Sequence, residues 1–295
     1  MSRQTGLALY DGTARVAAAP VIRRYSTSFR LATSLFPRRC RAAIASIYAL
    51  VRIADEIVDG TAAEAGLDRT ARAAVLDELE RETERAVATG FSANLVVHAF
   101  AAVAREAAIE PALTRAFFAS MRRDLDDVAF DEAEYRTYVH GSAEVVGLMC
   151  LRVFLAGTPV AAETAARLDE GAARLGAAFQ KVNFLRDVAH DRGYLGRSYL
   201  PGVSASGMTD EQKAGVVDDI RSDLRAARAV VRHLPGDCRR PVLVATALFA
   251  ELLRRLERTP ASRLASTRVS VPAPVKLALV LRWTLAPSLD AGALS

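Results

Sequence analysis

A chain of 295 residues, 51% hydrophobic and 25% charged, can bury a large core and is not a disordered polymer. The formal charge of +5 suits an anionic partner, yet the arginines are spread evenly with no basic run interleaved with aromatics, which argues against nucleic acid. Three distant cysteines, Cys40, Cys150 and Cys238, exclude a disulfide framework and a paired-cysteine zinc site and fit a reducing, cytoplasmic setting.

Residues 1–20 read as a loose leader, with no apolar core before Tyr10 to serve as a signal peptide. Helical periodicity then runs almost to the end, and no alternating strand pattern appears. The spacing predicts helices over 21–34, 38–59, 62–89, 91–108, 111–124, 131–156 with a break near Gly141, 161–191, 209–234, 237–258 and 272–286. Thr61 with Glu64, Asp131 with Glu134 and Thr209 with Gln212 resemble capping boxes. Pro37, Pro111, Pro159 and Pro272 mark boundaries, and 192–208 is the one long irregular link. The most apolar stretches, 145–156 and 242–253, are too short to span a bilayer. The expectation is one all-α domain over 21–295, a helical bundle around a central apolar cavity.

Two helices carry the chemistry. The segment 41–58 is apolar nearly all round, so its polar residues are informative. Tyr48, Arg52, Asp55 and Asp59 fall within a stripe about 60° wide at 100° per residue. Within 174–191, Gln180, Asn183, Asp187 and Asp191 form a second narrow face on an otherwise apolar helix. These side chains present the oxygen that hard cations such as Mg²⁺, or Mn²⁺ in its place, prefer. Either stripe alone also reads as a solvated face, with Arg52 simply pairing Asp55 or Glu56. Facing each other, the two would gather aspartates at the mouth of an apolar cavity, where a multivalent cation must offset their charge. Asp124, Asp126 and Asp127 read as a solvated helix end in preference to a further acidic patch.

The segments Tyr25-Ser-Thr-Ser-Phe29, Tyr48 to Asp59, Tyr138 to Gly147, Gln180 to Asp191 and Gly196 to Pro201 resemble the squalene/phytoene synthase family. The resemblance runs from about Tyr25 to Arg282 and implies the isoprenoid-synthase fold and a Mg²⁺-dependent prenyl transferase joining two isoprenoid diphosphates head to head. By the same resemblance, Asp55, Asp59, Asn183, Asp187 and Asp191 would bind Mg²⁺. Ser26, Ser28, Tyr48, Arg52, Gln180 and Arg186 would hold the diphosphates, helped by Arg268 and Lys276. Phe249 stands where the family commonly has tyrosine, and an aromatic cluster before Arg268 is missing.

Chain length is read from the floor of the first stripe. Ala45 lies ten residues before Asp55, roughly 15 Å down the helix. It is small, as is Thr33 nearby, while Gly141 and Gly147, with Ala143 and Val146 between, mark a second stretch where either a prenyl chain passes close to the backbone or helices pack tightly. Small floor residues favour two geranylgeranyl diphosphates and a forty-carbon carotenoid precursor made without NADPH. Farnesyl diphosphate leading to squalene or its cyclopropyl precursor is the alternative, and a non-catalytic scaffold on the same fold is a rival of another class. The helix 275–285, with Lys276, Arg282 and Trp283, reads either as a peripheral contact with the inner face of the membrane or as a buried closing helix.

Overall fold

The computed structural model describes residues 6–126, 130–193, 199–201, 207–264 and 266–285, with the side chains of Ser28 and of 189–193 outside the description. In chain order the helices are α1 (Leu7–Tyr25), α2 (Thr27–Ser34), α3 (Arg38–Val58), α4 (Thr61–Glu64), α5 (Arg69–Thr89), α6 (Leu95–Glu106) and α7 (Pro111–Arg123). They continue as α8 (Glu132–Val139), a π-helical turn (His140–Glu144), α9 (Val145–Leu155), α10 (Ala162–Gly193), α11 (Asp210–Val230), α12 (Gly236–Arg258), α13 (Ala261–Leu264) and α14 (Ala273–Leu285). No β-strand occurs among the described residues. The all-α expectation holds, and its capping boxes at Asp131 and Thr209 are both formed.

Four local expectations are corrected. The leader is helical from Leu7 and buries Ala14 and Ala18, because small side chains let α1 lie close on α3 and α6. The helix expected over 21–34 breaks at Ser26, whose hydroxyl accepts the Phe29 N–H at 3.1 Å and starts α2. The one expected over 62–89 is interrupted between Glu64 and Arg69, and Asp68, not Thr61, supplies the cap. Finally, Glu132–Leu155 runs as one helix long and apolar enough to cross a membrane, although more than half of its most apolar stretch is buried inside the protein.

The chain forms two compact units. In the first, Met1–Leu125 with Met149–Pro159, α3 is the apolar centrepiece and buries Ile44, Ile47, Leu50 and Val58. The buried His98 ring of α6 accepts the Ser92 N–H on Nδ1 at 3.2 Å and donates from Nε2 to Asp11 of α1 at 2.7 Å. Cys40, Cys150 and Cys238 are free thiols, and burial pushes Cys150 up to about 12.

In the second unit, Asp126–Leu148 with Val160–Ser295, α10 is the centrepiece and packs on α11, α12 and the π-turn. Ala177, Ala178, Val182, Leu185 and Val188 are its core face. Here α10 meets the π-turn backbone to backbone. A Cβ on Gly176 would lie 2.4 Å from the Ala143 carbonyl oxygen, and one on Gly147 2.4 Å from that of Ala172. For Gly147, tight helix packing is therefore the reading the structure supports. Gly176→Ala should lower stability by about 1–3 kcal/mol, since main chain must shift to admit the methyl. A thermal melt unchanged from wild type would contradict this.

Candidate active site

In the first unit, the candidate residues lie on one face of α3. Arg52 donates from Nε to Glu56 Oε1 at 2.9 Å, and a second bond runs from Nη2 to the same oxygen. Its Nη1 is 3.7 Å from Asp55 Oδ2, and its guanidinium lies over the Tyr25 ring at 4.4 Å. Burial works against the guanidinium's charge, but the Asp55 and Glu56 carboxylates outweigh it and hold Arg52 above its usual range. Glu56 is tied further by Thr61 and Tyr25, so burial is overcome and its carboxyl stays below the usual range. The ion pair with Glu56, left open by the spacing, is therefore formed.

Asp55 is the strained member. Desolvation, then the neighbouring Asp59 carboxylate, drive its carboxyl well above the usual range, and Arg52 only partly offsets them. Asp124 adds to this crowding. It is not a solvated helix end, being 4% exposed at the end of α7 and close enough to Asp55 to repel it. Oxygen donors crowded in this way are of the type a hard divalent ion takes. Tyr48 stacks on Phe29 at 5.5 Å, and burial pushes its phenol up to about 12. It is a neutral phenol at neutral pH, able to donate a hydrogen bond.

In the second unit, the candidate residues lie on α10. Asp187 accepts from Arg186 Nε at 2.9 and 3.1 Å and from Arg268 Nε at 3.0 Å. Burial opposes its charge, but the two guanidiniums hold the carboxyl below its usual range. Lys276 is depressed by burial and then by the Arg186 charge, so Arg186, Arg268 and Lys276 make one positive cluster beside Asp187. Four of the expected residues are thus brought together in this unit. Gln180 and Asn183 are half-buried on the same helix.

Other expected residues divide. Ser26 caps α2, while the side chains of Ser28 and Asp191 lie outside the described residues. Thr33 and Ala45 are each 4% exposed, Gly141 is buried in the π-turn and Val146 is half-buried. Among the described residues, no group of three or more His, Cys, Asp or Glu side chains is arranged to hold a metal. Asp187 is occupied by its arginines. Trp283 is 3% exposed, which corrects its reading as an interfacial anchor. Tyr199 falls within the Gly196 to Pro201 segment. Its ring stacks on Phe184 of α10 at 4.6 Å and on Tyr138 of α8 at 5.2 Å, pinning the described end of the preceding link.

The squalene/phytoene synthase family profile matches residues 22–274. A 15-cis-phytoene synthase from Synechococcus elongatus is 31% identical over 257 residues, covering 80% of this chain and 81% of that protein. A bifunctional lycopene cyclase/phytoene synthase from Phaeosphaeria nodorum is 27% identical over 80% of this chain, which spans 45% of that longer protein. A crystal structure of a dehydrosqualene synthase superposes with a TM-score of 0.77 over 95% of this chain and 98% of that one, at 21% identity. With the acidic helix faces of α3 and α10 in place, the match over most of the length gives one conclusion: the chain belongs to the squalene/phytoene synthase family, whose members process prenyl diphosphates.

Proposed function

We propose that this protein joins two geranylgeranyl diphosphates head to head, through a cyclopropyl diphosphate, to give phytoene. The observation that carries the reading is an aspartate-and-arginine face on each of two apolar helices, in a chain whose curated relatives include phytoene synthases. Asp55, Asp59, Asn183, Asp187 and Asp191 would hold Mg²⁺. That ion supplies charge to stabilise the departing diphosphate. Arg186, Arg268 and Lys276 offer fixed positive charge to the same group, and Tyr48, protonated at working pH, offers it a hydrogen bond. The test is incubation of purified protein with geranylgeranyl or farnesyl diphosphate, with and without NADPH. Phytoene from the twenty-carbon substrate alone is expected, whereas a thirty-carbon product from farnesyl diphosphate replaces this reading with the squalene-type one.

Arg52→Lys keeps the charge but loses the forked contact with Glu56 and the stacking on Tyr25. A drop in kcat/KM of about tenfold is expected. Unchanged KM and kcat would leave Arg52 a purely structural ion pair.

Delivery of a hydrocarbon product suits a peripheral membrane site on the cytoplasmic side. The outer face of α14 supports one, with Leu277, Leu281 and Leu285 exposed at 57, 49 and 76% beside Arg282. Flotation with anionic liposomes should be lost in a Leu281→Ser, Leu285→Ser variant. A wild type that does not float ends the idea.

A further inference from the structure

The second unit contains a buried charge network outside the residues already placed in the site. Asp223 of α11 is fully buried, and both of its oxygens are taken by α10. Arg174 Nη1 donates to Oδ1 at 2.9 Å and Lys181 Nζ to Oδ2 at 2.8 Å. The same ammonium, on a residue 9% exposed, also binds Asp219 of α11. Two cations on α10 thus meet two carboxylates on α11.

Their positions on α10 are informative. Arg174 and Lys181 are seven residues apart and share one face, roughly 140° round the helix from the face of Gln180, Asn183 and Asp187. Gly176, one turn before Gln180 on that latter face, sits against the Ala143 carbonyl of the π-turn. The helix is therefore held at two azimuths. The main-chain contact sets how close α10 comes to its neighbour. The charge network sets its rotation, because an ammonium between two carboxylates tolerates little turning. A buried ion network adds little net stability over apolar packing of the same volume, and orientation is what it can supply instead.

We propose that Lys181 and Asp223, with Arg174, are positioning residues that fix the rotation of α10 and so aim Gln180, Asn183 and Asp187 at the metal-diphosphate group. The inference rests on the proposed function, since it needs α10 to receive a diphosphate.

The test replaces the buried pair with apolar residues, Lys181→Met together with Asp223→Leu. Arg174 and Asp219 are about half exposed, so each turns to water and no unpaired charge stays buried. The variant should melt within about 3 °C of wild type. Calorimetric titration with Mg²⁺ and inorganic diphosphate should show a Kd raised about fivefold or more, with turnover of the allylic diphosphate down about tenfold, as misaimed ligands require. Lys181→Arg should recover most of what Lys181→Met loses. Wild-type Kd and turnover in the stable double variant overturn the proposal. If that variant melts far lower or does not fold, Arg174→Gln decides, because it loosens the network from its exposed side. A raised Kd there supports positioning, and an unchanged one overturns it. A wild type that fails to bind Mg²⁺ and diphosphate at all sinks the functional reading itself, and the positioning role with it. Wild-type binding with an unaffected variant sinks only the latter.

Discussion

Asp55→Asn and Asp187→Asn should each lower turnover by about a hundredfold or more at saturating Mg²⁺, because a metal clamp contributes several kcal/mol of charge stabilisation. Asparagine keeps the shape of each side chain and removes its charge. The two variants should part company in stability, and this separates lost chemistry from lost folding. The Asp55 carboxyl is pushed up by burial and by Asp59, so its ionisation opposes folding above the unfolded carboxyl pKa. Without metal, Asp55→Asn should therefore melt higher than wild type at neutral pH. Asp187 is the reverse case. Arg186 and Arg268 hold it down, so its contribution is present above the unfolded pKa and is lost as pH falls through the lower folded value. Asp187→Asn should melt lower at neutral pH, and the gap to wild type should close under acid. Melts in a chelator across pH, beside turnover, check both halves. Near-normal turnover in both variants would end the metal assignment.

Ala45→Phe should shift preference from the twenty-carbon to the fifteen-carbon substrate by about tenfold in the ratio of kcat/KM values, since pockets select by size. Ala45 is on the α3 helix that carries Tyr48, Arg52 and Asp55, nearer its N-terminus, and is 4% exposed, as is Thr33 on the adjoining α2. The position is enclosed by protein, so a ring placed there fills the space of a final isoprene unit or displaces its neighbours. Some stability is lost as well, about 1–3 kcal/mol by overpacking, and both substrates must be compared on the folded fraction. An unchanged ratio would remove Ala45 from the determinants of chain length. A wild type that strongly prefers farnesyl diphosphate would do the same for the small-floor argument as a whole.

Helix type and order were legible because long apolar stretches at 3.6-residue spacing leave few alternatives, and because Asp131 and Thr209 carry their capping partners three residues on. The acidic faces of the candidate site were legible for a related reason, since aspartates stand out on an otherwise apolar helix, and Asp55 is left crowded. What sequence could not give was partnership. Nothing local distinguishes Asp124, buried near Asp55, from an ordinary charged helix end, because only tertiary packing decides its exposure. Lys181 likewise reads as a surface lysine until α11 brings Asp219 and Asp223 to it. The break at Ser26 hid for the opposite reason, since serine is tolerated inside helices as well as at their starts.

The N-terminal helix has a practical meaning for anyone shortening this protein. A segment that looks dispensable by composition is joined by side chains to the middle of its unit. Trimming to residue 20 would strip Ala14 and Ala18 from Ala49 and Ala99, uncovering the back of the helix whose other edge carries Arg52 and Asp55. It would also leave the His98 Nε2 without Asp11 and the His98 and Phe91 rings without Tyr10. A shortened chain that aggregates or turns over slowly would thus report a missing wall, and would say nothing against the aspartates.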